Sequence, residues 1–227
     1  MAALDAEKSE RLLESLDAGT IASLMQDLIR IPSHRWEERE IASYVAGYLR
    51  ALGLDVTIQP VDEGDVRSKQ VICRLAGSGG APSVMLCGQL DTSTSPPERA
   101  PYRPELWTHD PYSGDIVDGW IYGLGAVNMK GGVTAMLEAV RAIRQAGLQP
   151  KGDIIVAAVM GETAGGLGVE YLLDAGVRAD MAIVTECTVV DVVTVAVSAC
   201  RGACSPRRRD GSPSAAQERS AGSRGSD

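Results

Sequence analysis

Apolar residues recur three and four positions apart in four stretches of the chain, which predicts four amphipathic helices. These stretches are residues 21–30, 37–52, 131–146 and 168–175. The first stops before Pro32, and the second and third end at Gly53 and Gly147. Proline cannot continue a helix and glycine commonly ends one, so both residue types support these boundaries.

Short apolar runs rich in β-branched residues alternate with the predicted helices. They cover residues 55–59, 71–76, 84–86, 153–160 and 180–184. The run at 153–160 has almost no polar interruption, which is typical of a strand covered by helices on both faces. Strands that alternate with helices of this length predict an α/β fold with a mainly parallel sheet sandwiched by helices.

The composition is that of an ordinary globular protein, with 44% hydrophobic and 23% charged residues among 227. The net charge of -8 argues against a nucleic-acid partner, because phosphate binding needs clustered Lys and Arg. The apolar runs are too short to span a bilayer, and the acidic start lacks the apolar core of a signal peptide. Five cysteines without a Cys-x-x-Cys pair favour reduced thiols. We therefore expect a cytoplasmic protein with no membrane partner.

The composition changes abruptly after residue 199. Residues 200–227 contain six arginines and three acidic residues but no Val, Ile, Leu or aromatic residue. Such a segment cannot bury enough apolar surface to offset its ordering entropy, which predicts a disordered tail. A basic tail can also tether nucleic acid or a membrane, but a short block rich in Arg, Ser and Gly favours solvated coil. The strand-like run at 192–197 enters the tail without a turn, so we interpret 1–199 as an incomplete domain and 200–227 as a segment not native to it.

Four motifs follow or end the strand-like runs, where open α/β sheets place their ligand sites. In chain order they are Gly88–Thr92, Gly123–Gly132, Gly161–Gly168 and Val184–Thr188. Together they resemble the two-zinc aminoacylase and carboxypeptidase family, which includes acetylornithine deacetylase and succinyl-diaminopimelate desuccinylase. Supporting matches at Leu28–Ser33 and Trp107–Gly123 extend the resemblance over about residues 12–198, the N-terminal part of such proteins. A dinucleotide-binding interpretation of Gly123 and Gly125 is weaker, because the third glycine of that motif is missing.

The resemblance implies a zinc-peptidase-like catalytic domain that hydrolyses N-acyl amino acids or peptides. In such metal-dependent hydrolases, a metal-bound water attacks the amide carbonyl. Zinc, or cobalt, is the implied cofactor, and a small N-acyl amino acid or peptide is the implied substrate. Members of the family are usually homodimers, but the domain that forms the dimer is missing from this chain.

Residue roles follow from the resemblance, position by position. Glu162 matches the general base, and Asp91 matches the residue that orients the ligand at position 89. The four metal-ligand positions, which carry His, Asp, Glu and an acidic residue in the family, are occupied here by Gln89, Asn128, Thr163 and Glu186. A last His ligand of the family falls beyond the end of this chain.

At three of these four positions, a substitution removes what zinc requires. Zinc takes imidazole and carboxylate ligands, and two neighbouring zinc ions need a shared anion. Gln89 and Asn128 carry no charge, and the hydroxyl of Thr163 is a weak donor unless it is deprotonated. We therefore expect poor zinc occupancy. The alternative to an active hydrolase is an inactive remnant that keeps the fold as a non-catalytic domain.

In that alternative, Gln89 and Asn128 bond to loop backbone, and Glu162 caps the following helix. With or without activity, four of the family positions are expected to meet where the strands end. They are Asp91, Asn128, Glu162 and Glu186. The two histidines, His34 and His109, match no ligand position and are expected in loops or at the surface.

Overall fold

The computed structural model describes residues 5–92 and 107–186. Its helices are α1 (Ala6–Glu14), α2 (Ala18–Arg30), α3 (Arg39–Ala51), α4 (Gly131–Gln145) and α5 (Leu167–Asp174). Its strands are β1 (Val56–Glu63), β2 (Val66–Leu75), β3 (Val84–Gln89), β4 (Ile116–Val117), β5 (Trp120–Ile121), β6 (Ile154–Val159) and β7 (Met181–Val184). Every helix and strand predicted within the described residues is present, and α1 and the β4–β5 hairpin are additional. The strand expected at 192–197 and the tail at 200–227 lie outside the described residues and stay predictions.

Five strands form one mixed sheet in the order β1-β2-β6-β3-β7. β3 pairs in parallel with β6 and β7, whereas β2 is antiparallel to both β1 and β6. Four of the five strands of this sheet run in the same direction, and β2 runs in the opposite one. This confirms the predicted mainly parallel α/β sheet. Half of the pairings are nevertheless antiparallel, because a two-residue turn at Gly64 and Asp65 folds β2 back onto β1.

Helices cover both faces of this sheet. On one face, α2, α3 and α4 form a core with the strand side chains Val156 and Ala158. On the other face, Leu172 of α5 packs with Ile155 and Ala157. Successive side chains of a strand point to opposite faces, so the apolar run of β6 contributes to both layers. Among the described residues, no helix is long and apolar enough to cross a membrane.

Candidate functional site

The first, second and fourth motifs meet where β3 and β7 end against the start of α4. A Cβ atom added to Gly132 would lie 2.0 Å from the carbonyl oxygen of Thr185, and one added to Gly88 would lie 3.0 Å from Thr185 Oγ1. The backbone N–H of Thr185 donates to the carbonyl of Cys87 at 3.0 Å. Glycine at these two positions therefore lets the strand ends and the helix approach each other closely.

A hydrogen-bonded cluster joins Gln89, Asn128 and Glu162. Gln89 ends β3 and is 4% exposed. Its Nε2 donates to Asn128 Oδ1 at 3.0 Å and to Glu162 Oε2 at 2.9 Å. A glutamine amide has two N–H donors, so these two bonds use its full donor capacity. Asn128 and Glu162 are exposed, and the cluster thus has one buried member and two members at the surface.

The buried carboxylate of Asp91 binds the turn that carries Glu162. Asp91 is 1% exposed. Its Oδ1 accepts a hydrogen bond from the backbone N–H of Glu162 at 3.1 Å, and its Oδ2 accepts from the N–H and the hydroxyl of Thr163 at 2.9 and 2.6 Å. These bonds satisfy Asp91 from the turn, not from Gln89, the residue that the resemblance implies it orients.

The second motif forms a wide turn, Ala126–Lys130, directly before α4, and its Asn128–Met129 peptide bond is cis. Met129 and Lys130 are both 1% exposed. Lys130 Nζ donates to the carbonyl oxygen of Ile31 at 2.8 Å, and burial lowers the pKa of Lys130 to about 7. The lysine of this motif therefore anchors the turn to the end of α2.

The structure brings most of the predicted site residues together. Asn128 and Glu162 share the amide of Gln89, and Asp91 holds Glu162 from behind. Glu186 is exposed just beyond β7, the parallel neighbour of β3, and so lies at the same end of the sheet. In the non-catalytic alternative, Gln89 was expected to bond to loop backbone. Its amide nitrogen instead donates to the side chains of Asn128 and Glu162. Glu162 does not cap α5 either, since the residue before that helix is glycine.

The donor set of the cluster does not fit a two-zinc centre. Within residues 5–92 and 107–186, no three His, Cys, Asp or Glu side chains are grouped so that they could hold a metal ion. The hydroxyl of Thr163 already donates to Asp91, and the N–H groups of Gln89 lie between the oxygens of Asn128 and Glu162. Zinc needs imidazole or anionic donors in these places.

His34 lies in a loop, as expected, but it is buried. It is 4% exposed and its Nε2 lies 2.9 Å from the hydroxyl of Tyr112. His109 packs against the ring of Tyr122 with 4.1 Å between centroids. Both imidazoles thus pack against tyrosines.

Glu38 is a buried carboxylate that the sequence motifs do not single out. It is 0% exposed, and its Oε1 accepts from the backbone N–H groups of Trp36 and Gly161 at 3.0 and 3.2 Å. Its Oε2 accepts from the hydroxyl of Ser68 on β2. Spacing offers one signal for it, because Glu38 precedes the buried Ile41 by three positions and so continues the inward face of α3.

The burial of Glu38 gives a testable pH dependence. Desolvation raises its pKa above the ordinary value of 4.5, although the hydrogen bond from Ser68 opposes the shift. A raised carboxyl pKa in the folded state means that folding favours the protonated form, so this contribution to stability is lost as the pH rises through the folded-state pKa. We expect the free energy of unfolding of the wild type, relative to Glu38→Gln, to fall as the pH rises from 4.5.

Urea unfolding at a series of pH values measures this difference. The exposed neighbour supplies a matched control, since Glu37→Gln should keep the wild-type pH profile. A constant difference between wild type and Glu38→Gln across the series would show that Glu38 does not change its ionisation on folding.

Comparison with known proteins places the chain in a family. The model of peptidase family M20/M25/M40 matches residues 96–219. An N-formyl-4-amino-5-aminomethyl-2-methylpyrimidine deformylase of Bacillus subtilis is 34% identical over 148 residues, which cover 64% of this chain and 33% of the relative. A succinyl-diaminopimelate desuccinylase of Gluconacetobacter diazotrophicus is 34% identical over 132 residues, 58% of this chain and 32% of the relative. The chain thus spans about a third of the length of these relatives.

Solved structures of similar fold have lower sequence identity. Human carnosine dipeptidase 1 superposes with a TM-score of 0.66 at 21% identity, over 77% of this chain and 40% of the dipeptidase. A metallo-carboxypeptidase of the M20 family from Sulfolobus solfataricus gives a TM-score of 0.61 at 17% identity, over 75% of this chain and 37% of that protein. These likenesses show the fold, a mixed sheet flanked by helices. By its fold and by the family match over more than half of its length, the chain belongs to peptidase family M20/M25/M40, a family of metal-dependent amide-bond hydrolases.

Proposed function

We propose that the protein takes N-acyl amino acids or small peptides as its ligands, and that this chain does not hydrolyse them. The ligand class rests on the family and on its similarity to a deformylase, a desuccinylase and a cysteinylglycine-S-conjugate dipeptidase. All three names describe the release of an acyl or aminoacyl group from nitrogen. Of the two possibilities raised by the sequence, the site geometry favours the non-catalytic one.

One observation carries this conclusion, the bridging amide of Gln89. Its nitrogen lies within 3.0 Å of Asn128 Oδ1 and Glu162 Oε2, so a neutral hydrogen-bond donor occupies the centre of the cluster. Two dications in this place would repel each other without a bridging anion, and a partly buried cleft screens that repulsion poorly. The cluster is held together by hydrogen bonds, and its one carboxylate, Glu162, already accepts from Gln89, so it lacks the bridging anion that a metal pair needs.

Two groups that could supply the second half of amide-bond chemistry are already engaged in the fold. The carboxylate of Glu162 is exposed and can take a proton from water, as a general base must. Attack on an amide further requires a cation or free N–H donors that stabilise the oxyanion. Lys130 is directed to the carbonyl of Ile31, and both N–H groups of Gln89 are already bonded. Neither Lys130 nor Gln89 is therefore free to stabilise an oxyanion beside Glu162.

Metal content and turnover test the proposal together. After dialysis, atomic emission should find at most one weakly held divalent ion per chain. Deacylation of N-acetyl or N-succinyl amino acids should stay at the buffer rate with zinc or cobalt added. The combined change Gln89→His, Asn128→Asp and Thr163→Glu should raise metal affinity, whereas Gln149→His, which adds an imidazole on an exposed loop, should not.

Two tightly held zinc ions in the unmodified chain, or clear turnover, would show that Gln89 and Asn128 are working ligands and that the chain is an active hydrolase. The ligand class has a separate measurement. Asn128 is the only asparagine in the sequence, so asparagine labelled with 15N gives a single carboxamide signal pair. Addition of an N-succinyl amino acid should shift that pair, and an unchanged spectrum at millimolar ligand would reject the ligand class.

A further inference from the structure

We infer that Glu38 and Asp91 form a clamp that positions Glu162, with Glu38 as a positioning residue outside the motifs of the family. Three consecutive backbone N–H groups, those of Gly161, Glu162 and Thr163, donate to these two carboxylates. Gly161 is bound by Glu38 at 3.2 Å, and the next two residues are bound by Asp91 at 3.1 and 2.9 Å. This inference holds whether or not the chain hydrolyses amides.

The clamp connects the turn to two different parts of the fold. Asp91 follows β3, the strand that ends with Gln89. Glu38 directly precedes α3 and is fixed to β2 through the hydroxyl of Ser68. The backbone of the turn is therefore held from the end of β3 on one side and from the start of α3 on the other.

Trp36 closes the remaining side of the turn. Gly161 has a φ of 66°, in the left-handed region, and a Cβ atom on it would lie 2.8 Å from Cζ3 of the Trp36 ring. Trp36 itself has a φ of 76°, which is rare for a residue with a side chain. Its N–H donates to the same Glu38 oxygen that binds Gly161. The strained backbone at Trp36 is thus held by the carboxylate that also holds the turn.

Carboxylates suit this role when they are ionised, because successive backbone N–H groups form a concave array that favours anions. Hydrogen bonds to a charged acceptor are also stronger than those to a neutral one. With its backbone held in this way, Glu162 presents Oε2 to Gln89 Nε2 at 2.9 Å. Loosening the turn should release Glu162 from Gln89, and through Gln89 it should also disturb Asn128.

A purely structural role for Glu38 predicts a different result. Glu38 accepts hydrogen bonds from Trp36, Ser68 and Gly161. None of these bonds involves the amide side chains of Gln89 and Asn128. If it only supported α3, its loss would lower stability without a specific change at Asn128. The carboxamide signals of Asn128 and Gln89 therefore separate positioning from support.

The experiment compares NMR spectra of the whole chain carrying Glu38→Gln or Glu138→Gln. Glu138 is a matched control, because it is also buried, at 2% exposure, and bonds to Tyr48 and Arg141 far along the sequence from the turn. In Glu38→Gln we expect amide hydrogen exchange at Glu162 and Thr163 to rise roughly tenfold, since a neutral acceptor holds the turn less well. The carboxamide signals of Asn128 and Gln89 should shift as well.

In Glu138→Gln these signals and exchange rates should stay at their wild-type values while the melting temperature falls. Ser68→Ala gives a milder test if Glu38→Gln does not fold, because it removes one of the donors that fix Glu38 and should shift the same signals to a smaller extent. Unchanged carboxamide signals and exchange in the Glu38 or Ser68 variant would overturn the clamp. Equal changes in Glu138→Gln would overturn it too.

Discussion

Gly132→Ala is expected to lower the free energy of unfolding by about 3 kcal/mol. The new methyl group would lie 2.0 Å from the carbonyl oxygen of Thr185, which is backbone and cannot rotate away. Relief requires the end of β7 to move off α4, and this breaks the hydrogen bond from Thr185 to Cys87. Glu186, the next residue, should move with it. Chemical denaturation of the variant and the wild type measures the loss.

A glycine in another helix provides a control with the same chemical change. Gly47 lies within α3, and a Cβ atom there would meet nothing within 4 Å. Because alanine has the better helix propensity, Gly47→Ala should stabilise the protein by about 0.5–1 kcal/mol. The same chemical change thus has opposite signs at positions 47 and 132. A neutral or stabilising Gly132→Ala would mean that Thr185 does not rest on the start of α4.

Glu138→Leu is expected to cost about 3–5 kcal/mol, because it leaves a buried guanidinium without its counter-charge. Glu138 and Arg141 are 2% and 6% exposed, and Arg141 Nε donates to Glu138 Oε2 at 2.7 Å. The hydroxyl of Tyr48 donates to the other carboxylate oxygen, which joins α3 to α4. Arg141 also donates to the carbonyl of Ser15 at 3.1 Å, just after α1. One ion pair therefore fixes three helices.

A double-mutant cycle separates the pair from its surroundings. Replacing both residues, as Glu138→Leu with Arg141→Met, should cost far less than the sum of the two single changes, because an apolar pair leaves no charge unpaired. Glu170→Leu on the exposed side of α5 should change stability by no more than about 0.5 kcal/mol. Strict additivity of the two buried changes would show that the ion pair contributes nothing of its own.

Hydrophobic spacing predicts the elements that carry the core and misses those that do not. α2, α3 and α4 each bury an apolar stripe and were predicted within a few residues of their observed bounds. α1 has no buried residue, and only Ala6, Leu12 and Leu13 of its nine residues are apolar, so its apolar spacing was too sparse to predict it. β1 extends to Glu63, beyond the predicted end at 59, because its second half pairs with β2 through the backbone. The prediction stopped early because Pro60, Asp62 and Glu63 are not typical strand residues. Pairing through the backbone places few demands on the side chains, so the residue types of such a segment predict a strand only weakly.

The motifs predict which loops meet at the site, because the carboxyl ends of parallel strands lie along one edge of the sheet. They do not predict that the amide of Gln89 would face Asn128 and Glu162, since that depends on side-chain rotamers and on what each neighbour leaves unpaired. Glu38 was missed for a related reason. Its place at a helix start resembles that of a solvated residue until the packing of α3 against β2 encloses it.

The place of β6 in the sheet also governs the order in which the protein can assemble during synthesis. β6 separates β2 from β3, although both precede it in the chain. A ribosome that has released everything up to the end of α4 has therefore made both neighbours of this strand but not the strand that joins them. Until residue 159 emerges, β2 and β3 lack the strand that pairs with both of them. Their exposed apolar side chains and unpaired edges favour chaperone binding or aggregation during this interval. The two parts of the sheet can therefore join only after the central strand, β6, has been synthesised.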